Sequence, residues 1–185
     1  MKKELFSIPN LMGYFRILML PVFLVCYYRA ERPKDFIFTF LILGIIFLSD
    51  ALDGYVARKF NMVTNFGKIL DPVADKLVQG TLALAVASRH PLMKVFFLVF
   101  IIKEAYMAIM GLYLIKAKSS LNGAQWFGKI CTAVIDIGVL ILLFIPQMPE
   151  TISNAIIILM LITELFVTIK YIIFHVNIIR KKSEL

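Results

Sequence analysis

Six long apolar stretches, joined by short polar connections, dominate this chain and leave it few ways to fold. Each stretch is close to the roughly 20 residues that an α-helix needs to cross the hydrocarbon core of a bilayer. Because lipid offers the backbone no hydrogen-bond partners, segments of this kind cross membranes as helices. They predict an all-α, polytopic membrane protein with six transmembrane helices in one bundle, forming a single domain over residues 1–185. The stretches cover residues 11–29, 36–57, 68–88, 92–115, 127–147 and 152–174.

Composition and charge support the same class of protein. Hydrophobic residues make up 61% of the chain, and a mean hydropathy of +0.87 is too high for an ordinary soluble domain. With the N-terminus in the cytoplasm, cytoplasmic lysines and arginines outnumber those on the other side by about two to one, the bias that sets membrane orientation. Next to anionic headgroups, these residues account for much of the net charge of +8 without a nucleic-acid partner. The polar break between the second and third stretches should therefore face the cytoplasm.

Two pairs of aspartates flank that polar break, Asp50 with Asp53 and Asp71 with Asp75. Their spacings of three and four residues put each pair on one face of a helix, so four carboxylates can converge on one point. Such a cluster in a partly dry site either attracts cations or takes up protons. Its ligands are all hard oxygens, which suit magnesium or manganese better than zinc. The pattern predicts a metal site for two divalent ions.

The aspartates are also compatible with roles that need no metal. A carboxylate near a helix end can be solvated, and Asp71 followed by Pro72 can be a helix N-cap with proline in the first turn. An ion-coupled transporter could use acidic residues as a relay, but broken helices would then be expected in both halves. The four clustered aspartates all lie in the first half of the chain. In a purely structural membrane subunit, four clustered aspartates would repel one another and lower stability without serving a function.

The aspartates belong to a longer pattern, D-x-x-D-G-x-x-A-R, eight residues, then G-x-x-x-D-x-x-x-D, from Asp50 to Asp75. This pattern resembles the signature of the CDP-alcohol phosphotransferases, membrane enzymes that make phospholipids from CDP-linked donors. Every fixed position of that signature is occupied, so the match is far more specific than a lone D-x-x-D. The resemblance covers the whole chain, since family members of this type have a similar length and six spans.

The resemblance implies a role for each aspartate. CDP-diacylglycerol would be the donor, and CMP would be released. The chemistry agrees, because attack of a hydroxyl on a pyrophosphate needs charge neutralisation at the bridging and leaving oxygens. Asp75 would also be the general base that takes the proton from the acceptor hydroxyl. Two divalent ions, Mg2+ or Mn2+, would be held by Asp50, Asp53, Asp71 and Asp75.

Further positions of the pattern would contact the donor. Gly54 leaves room for a nucleotide to approach the backbone, although a small residue is equally typical of close helix packing, and Ala57 fits either role. Arg58 would hold a pyrophosphate oxygen with its guanidinium; by position alone it could also be an interfacial arginine. In the connecting segment, Thr64 and Gly67 match donor-side positions, with Thr64 as a hydrogen-bond donor to phosphate.

The start of the chain resembles the opening of the bacterial phosphatidylglycerophosphate synthases within this family. Ile8-Pro9-Asn10-Leu11 is followed by Gly13 and Arg16, where the first helix would line the donor site. An arginine one to two turns inside a span is costly unless it is paired. We therefore expect Arg16 to contact the donor phosphate or an acidic residue, in preference to extending toward the headgroups.

Two lysines are the candidates for contact with the acceptor alcohol. Lys129, in the stretch Gly128–Thr132, resembles a lysine that faces the acceptor pocket of phosphatidylglycerophosphate synthases and could hold the phosphate of glycerol 3-phosphate. It would equally serve as an anchor at the start of a span. Lys103 and Glu104 stand where those enzymes usually carry an arginine and an acid. No arginine follows in residues 106–114, which favours an uncharged acceptor.

The predicted reaction transfers a phosphatidyl group from CDP-diacylglycerol to a glycerol-type hydroxyl. Glycerol 3-phosphate is the first choice of acceptor, and phosphatidylglycerol, in a cardiolipin-synthase reaction, is the second. The resemblance also implies a bacterial cell membrane as the location, membrane lipids as partners, and a homodimer as the assembly.

Overall fold

The computed structural model describes residues 6–62, 64, 66–116 and 125–183, and over this part of the chain it confirms the predicted all-α fold. Each of the six helices coincides with one of the apolar stretches. The last helix differs most from its predicted bounds, because it continues nine residues beyond the predicted end. The helices are α1 (Ile8–Arg29), α2 (Pro33–Lys59), α3 (Gly67–Ala87), α4 (Met93–Lys116), α5 (Trp126–Phe144) and α6 (Glu150–Ser183).

A Schellman-type cap ends α2 directly after the aspartate motif. Asn61 has a φ of 52°, a left-handed conformation that asparagine tolerates better than most residues. The backbone N–H of Met62 donates to the carbonyl of Ala57 at 2.9 Å, and that of Asn61 donates to the carbonyl of Arg58 at 3.5 Å. These are the two hydrogen bonds of this cap. The cap ends α2, and α3 begins at Gly67 with the second aspartate pair in its first three turns.

Of the six helices in the described part of the chain, five are long and apolar enough to cross a membrane, and α3 is the exception. This number supports a polytopic membrane protein, but it is one fewer than the six predicted spans. The missing span is the stretch predicted at 68–88. Helix α3 has the required length, with 21 residues, but the charges in its first half leave too short an apolar segment. These charges belong to Lys68, Asp71, Asp75 and Lys76.

Large apolar side chains are exposed along the helices. Leu18 of α1 is 69% exposed, and Ile109 of α4 is 66% exposed. Soluble monomers rarely expose contiguous apolar surface on a large scale, whereas the hydrocarbon of a bilayer solvates such side chains. The distribution of apolar residues thus fits helices whose outer faces contact lipid.

The chain divides into two compact units, Met1–Ala85 and Val86–Leu185. In the first unit α1 packs along α2, and Phe23 and Ile46 are completely buried. In the second unit α6 packs against both α4 and α5, and Phe96 is completely buried. The arrangement of the whole chain as one bundle and a single domain stays a prediction.

Candidate active site

Each aspartate pair lies on one helix, the first on α2 and the second on α3, with its two members about one helical turn apart. The four side chains differ in burial. Asp53 is the buried member, with 6% of its surface exposed. The side chains of Asp50 and Asp75 are 52% and 61% exposed, and Asp71 is also exposed. One carboxylate is therefore embedded between the helices, while the other three can be reached from outside.

Arg16 of α1 connects the two aspartate pairs. Its side chain is 1% exposed, and its Nη2 atom forms ion pairs with Asp50, at 2.6 Å, and with Asp53. Its Nη1 atom donates a hydrogen bond to Asp75 of α3 at 2.8 Å. Asp71 interacts electrostatically with Arg16 and Asp50. One buried cation thus brings the carboxylates of α2 and α3 together.

The sequence analysis expected Arg16 to contact the donor phosphate or an acidic residue, and the structure shows the second of these contacts. The side chain has acidic partners and is buried, so it does not extend toward the headgroups. Contact with a donor phosphate stays a prediction. The roles of the four aspartates as metal ligands, and of Asp75 as general base, also stay predictions, although the structure draws three of the four onto one side chain.

The chemistry of the donor set fits divalent ions. Within the described part of the chain, no three acidic, histidine or cysteine side chains are placed to hold a metal ion, and three of the carboxylates form ion pairs with Arg16. The ligands on offer are nevertheless carboxylate oxygens from two helices, the type that Mg2+ and Mn2+ prefer. Four aspartates carry more negative charge than one guanidinium neutralises, so the cluster keeps an excess of negative charge that divalent cations would balance.

Close contacts connect the start of α3 to α1. A Cβ on Gly13 would lie 3.1 Å from a Leu70 methyl carbon, and one on Gly67 would lie 2.8 Å from the side-chain oxygen of Asn10. Both glycines are therefore explained by the close approach of neighbouring segments. The Thr64 hydroxyl oxygen accepts hydrogen bonds from the Gly67 backbone N–H at 2.9 Å and from the Asn10 amide at 3.2 Å. Neither bond uses the hydroxyl proton of Thr64.

Asn10 is a residue of this site to which the sequence analysis assigned no role. It is 1% exposed, its side-chain amide donates a hydrogen bond to Thr64, and its side-chain oxygen lies where a Cβ on Gly67 would clash. Its position could have indicated this role, because Asn10 is a polar amide directly after Pro9 at the start of an apolar span. An amide that is buried there needs hydrogen-bond partners. Asn10 therefore helps to position two of the predicted donor residues, Thr64 and Gly67.

Arg58 lies over Gly54, one turn further along α2. The three atoms nearest to a Cβ built on Gly54 all belong to the Arg58 guanidinium, the first at 3.5 Å. This favours an open helix face beside a cation over close packing of Gly54 against another helix. Ala57 is partly buried, and Arg58 is exposed. The α2 surface next to the aspartates thus offers a cation and a small residue to an anionic ligand, and donor binding by these residues stays a prediction.

The two lysines predicted to contact the acceptor have different surroundings. Lys103 is buried and forms ion pairs with Glu104 at 2.8 Å and with Glu164 at 3.3 Å. Glu164 is completely buried and accepts a hydrogen bond from the Cys131 thiol at 3.2 Å. Lys129, near the start of α5, is exposed. Lys103 therefore belongs to an internal ion-pair network and Lys129 is more accessible, while contact of either lysine with an acceptor stays a prediction.

Fold and site together define a polytopic α-helical membrane protein in which aspartates from two helices converge on an arginine from a third. A family model described as CDP-alcohol phosphatidyltransferase matches residues 6–176. The chain therefore belongs to the CDP-alcohol phosphatidyltransferase family, which confirms the resemblance found in the sequence.

Several curated relatives carry the name CDP-diacylglycerol--glycerol-3-phosphate 3-phosphatidyltransferase. The relative from Bacillus subtilis is 34% identical over 156 residues, which are 77% of this chain and 80% of that protein. The relative from Aquifex aeolicus is 30% identical over 136 residues, 72% of this chain and 74% of that protein. The relative from Haemophilus influenzae is 43% identical over 86 residues, and this match spans 46% of either chain, less than half the relative's length.

Proposed function

We propose that this chain is a phosphatidyltransferase that moves a phosphatidyl group from CDP-diacylglycerol to the hydroxyl of glycerol 3-phosphate, forming phosphatidylglycerophosphate and releasing CMP. The observation that carries the proposal is the convergence of Asp50, Asp53 and Asp75 on one point of a chain that belongs to this family. The names of the relatives from Bacillus subtilis and Aquifex aeolicus support the choice of acceptor.

Two divalent ions, magnesium or manganese, would neutralise the oxygens of the donor pyrophosphate. Asp75 would take the proton from the acceptor hydroxyl. Its side chain is 61% exposed, so a substrate can reach it, whereas Asp53 is buried and better placed to act only as a ligand. The ions would be held by Asp50, Asp53, Asp71 and Asp75.

The donor would bind on the side of the site formed by α2 and the start of α3. Arg58 is exposed above Gly54, where a guanidinium can bind phosphate oxygens through two parallel hydrogen bonds. The Thr64 hydroxyl keeps its proton out of both of its described bonds, which supports a role as donor to phosphate. The remaining residues assigned to the donor site are Gly13, Arg16, Ala57 and Gly67.

Lys129 is the better of the two candidates for the acceptor phosphate, because it is exposed. Lys103 is already neutralised by Glu104 and Glu164, so it offers less net charge to a dianionic phosphate. This pairing, and the absence of arginine from residues 106–114, favour a second candidate function, cardiolipin synthesis with phosphatidylglycerol as acceptor.

The proposal also concerns location and assembly. The long apolar helices support an enzyme of the bacterial cell membrane, surrounded by lipids. If all six helices cross the membrane, the excess of basic residues on one side would place the acidic site at the cytoplasmic face. We further propose that the chain acts as a single domain and forms a homodimer, as the family resemblance implies.

The test is CMP release from CDP-diacylglycerol by the purified protein, with glycerol 3-phosphate or phosphatidylglycerol as acceptor and with Mg2+, Mn2+ or EDTA. We expect metal-dependent release of CMP and formation of phosphatidylglycerophosphate. If CMP were released with phosphatidylglycerol as acceptor but not with glycerol 3-phosphate, the result would support the cardiolipin-synthase candidate. Absence of CMP under every condition would contradict both candidates and favour a transporter or a structural subunit.

A further inference from the structure

Arg16 occupies the position at which the proposed metal ligands meet. Its guanidinium contacts Asp50 at 2.6 Å and Asp75 at 2.8 Å, and it also pairs with Asp53. An ion bound by the same oxygens would be brought close to this guanidinium, and two cations repel each other strongly in a poorly solvated site. Arg16 and a divalent ion would therefore compete for one set of carboxylates.

The contacts of Arg16 with the aspartates leave part of its hydrogen-bonding capacity unused. A guanidinium has five N–H donors, and the Arg16 side chain is 1% exposed. Its Nε atom has no hydrogen-bond partner among the residues that the structure describes. Buried polar groups are nearly always hydrogen-bonded, so the side chain keeps donor capacity that its aspartate contacts do not use.

We propose that Arg16 is an internal counter-cation, which holds Asp50, Asp53 and Asp75 together before metal binds and releases them when divalent ions load. The inference rests on the proposed function, since it takes the aspartates as metal ligands. Arg16 acts as a positioning residue: it limits carboxylate repulsion between α2 and α3, and by competing with the ions it sets their affinity. After release, its N–H groups are free to bind phosphate.

Mn2+ binding tests the competition directly. Free Mn2+ is measured by electron paramagnetic resonance during titration of the purified full-length protein, without lipid substrate, for wild type, Arg16→Gln and Arg29→Gln. Arg29 is the matched control, because it is an exposed arginine of the same helix, about 20 Å further along its axis. Arg16→Gln should bind Mn2+ on the order of tenfold or more tightly than wild type, and Arg29→Gln should match wild type. Equal or weaker binding in Arg16→Gln would overturn the proposal.

The Mn2+-induced change in unfolding temperature provides a second test, which can be used even if Arg16→Gln is less stable than wild type. Because Mn2+ replaces the missing cation, it should raise the unfolding temperature of Arg16→Gln more than that of wild type. Arg16→Lys keeps the charge but has one nitrogen in place of the two that bridge the aspartates, so its Mn2+ affinity should lie between those of wild type and Arg16→Gln. A side chain that only packs the interior would give the same Mn2+-induced shift in every variant, which would contradict the inference.

Asp53→Asn separates this inference from the proposed function. Loss of Mn2+ binding in Asp53→Asn would support the aspartates as ligands, and an unchanged affinity in Arg16→Gln would then refute only the role of Arg16. Absence of Mn2+ binding in both wild type and Arg16→Gln would refute the metal site and, with it, the competition.

Discussion

Replacement of Asp53 by asparagine removes the one buried carboxylate of the acidic site at nearly constant size. Asp53 is 6% exposed, and at an effective dielectric constant near 20 two unit charges about 4 Å apart interact by about 4 kcal/mol. Loss of that much charge stabilisation in the transition state lowers a rate by roughly a thousandfold. The side chain of Asp50 is 52% exposed, so water screens it better, and Asp50→Asn should cost on the order of ten- to a hundredfold.

The assay is the initial rate of CMP release over a Mn2+ titration, with CDP-diacylglycerol and glycerol 3-phosphate in excess and with folding checked by circular dichroism. Asp35→Asn is the matched control. Asp35 lies on the same helix, about 27 Å before Asp53, and asparagine can also accept the backbone N–H of Arg32 that Asp35 binds at 2.9 Å. The control should stay within about twofold of wild type, since distant sites act independently.

Two results would refute this reasoning at different points. A folded Asp53→Asn variant with a rate within about tenfold of wild type would remove Asp53 from the catalytic site. Equal losses in Asp50→Asn and Asp53→Asn would keep the site but show that burial does not set the size of the effect.

Three further predictions concern the base, the donor and the acceptor. Asp75→Asn should lose turnover but still bind a CDP analogue in the presence of Mn2+. If the variant lost both turnover and analogue binding, Asp75 would be a metal ligand and its role as general base would be unsupported. Arg58→Ala should weaken CDP-analogue binding by roughly tenfold or more, measured by calorimetry, whereas the neighbouring control Lys59→Ala should not; equal affinities would exclude Arg58 from the donor site. Lys129→Ala should raise the KM for glycerol 3-phosphate by on the order of tenfold to a hundredfold and leave that for CDP-diacylglycerol unchanged. A wild-type enzyme that ignores glycerol 3-phosphate but converts phosphatidylglycerol would show that the acceptor assignment is wrong.

The helices were predictable because apolar length decides which segments can enter a bilayer. Apolar length alone did not predict two features of the structure, the short apolar segment of α3 and the extended end of α6. Helix α3 starts with charged residues that serve the site, so its apolar segment is short even though the helix is complete. Helix α6 continues past its apolar stretch through Asn177 and Arg180, because a helix can extend from the membrane into water without any change in its backbone hydrogen bonds.

The sequence by itself determined the helices, the spacing of the aspartate pairs and the family, because apolar length, helical periodicity and a motif from Asp50 to Asp75 are local properties of the chain. Only the tertiary structure decided which cation these aspartates contact. Arg16 lies 37 residues before Asp53, and Lys103 likewise finds Glu164 on another helix. Such contacts depend on how each helix is rotated about its axis and on its height beside its neighbour, and no spacing within a single helix encodes either quantity.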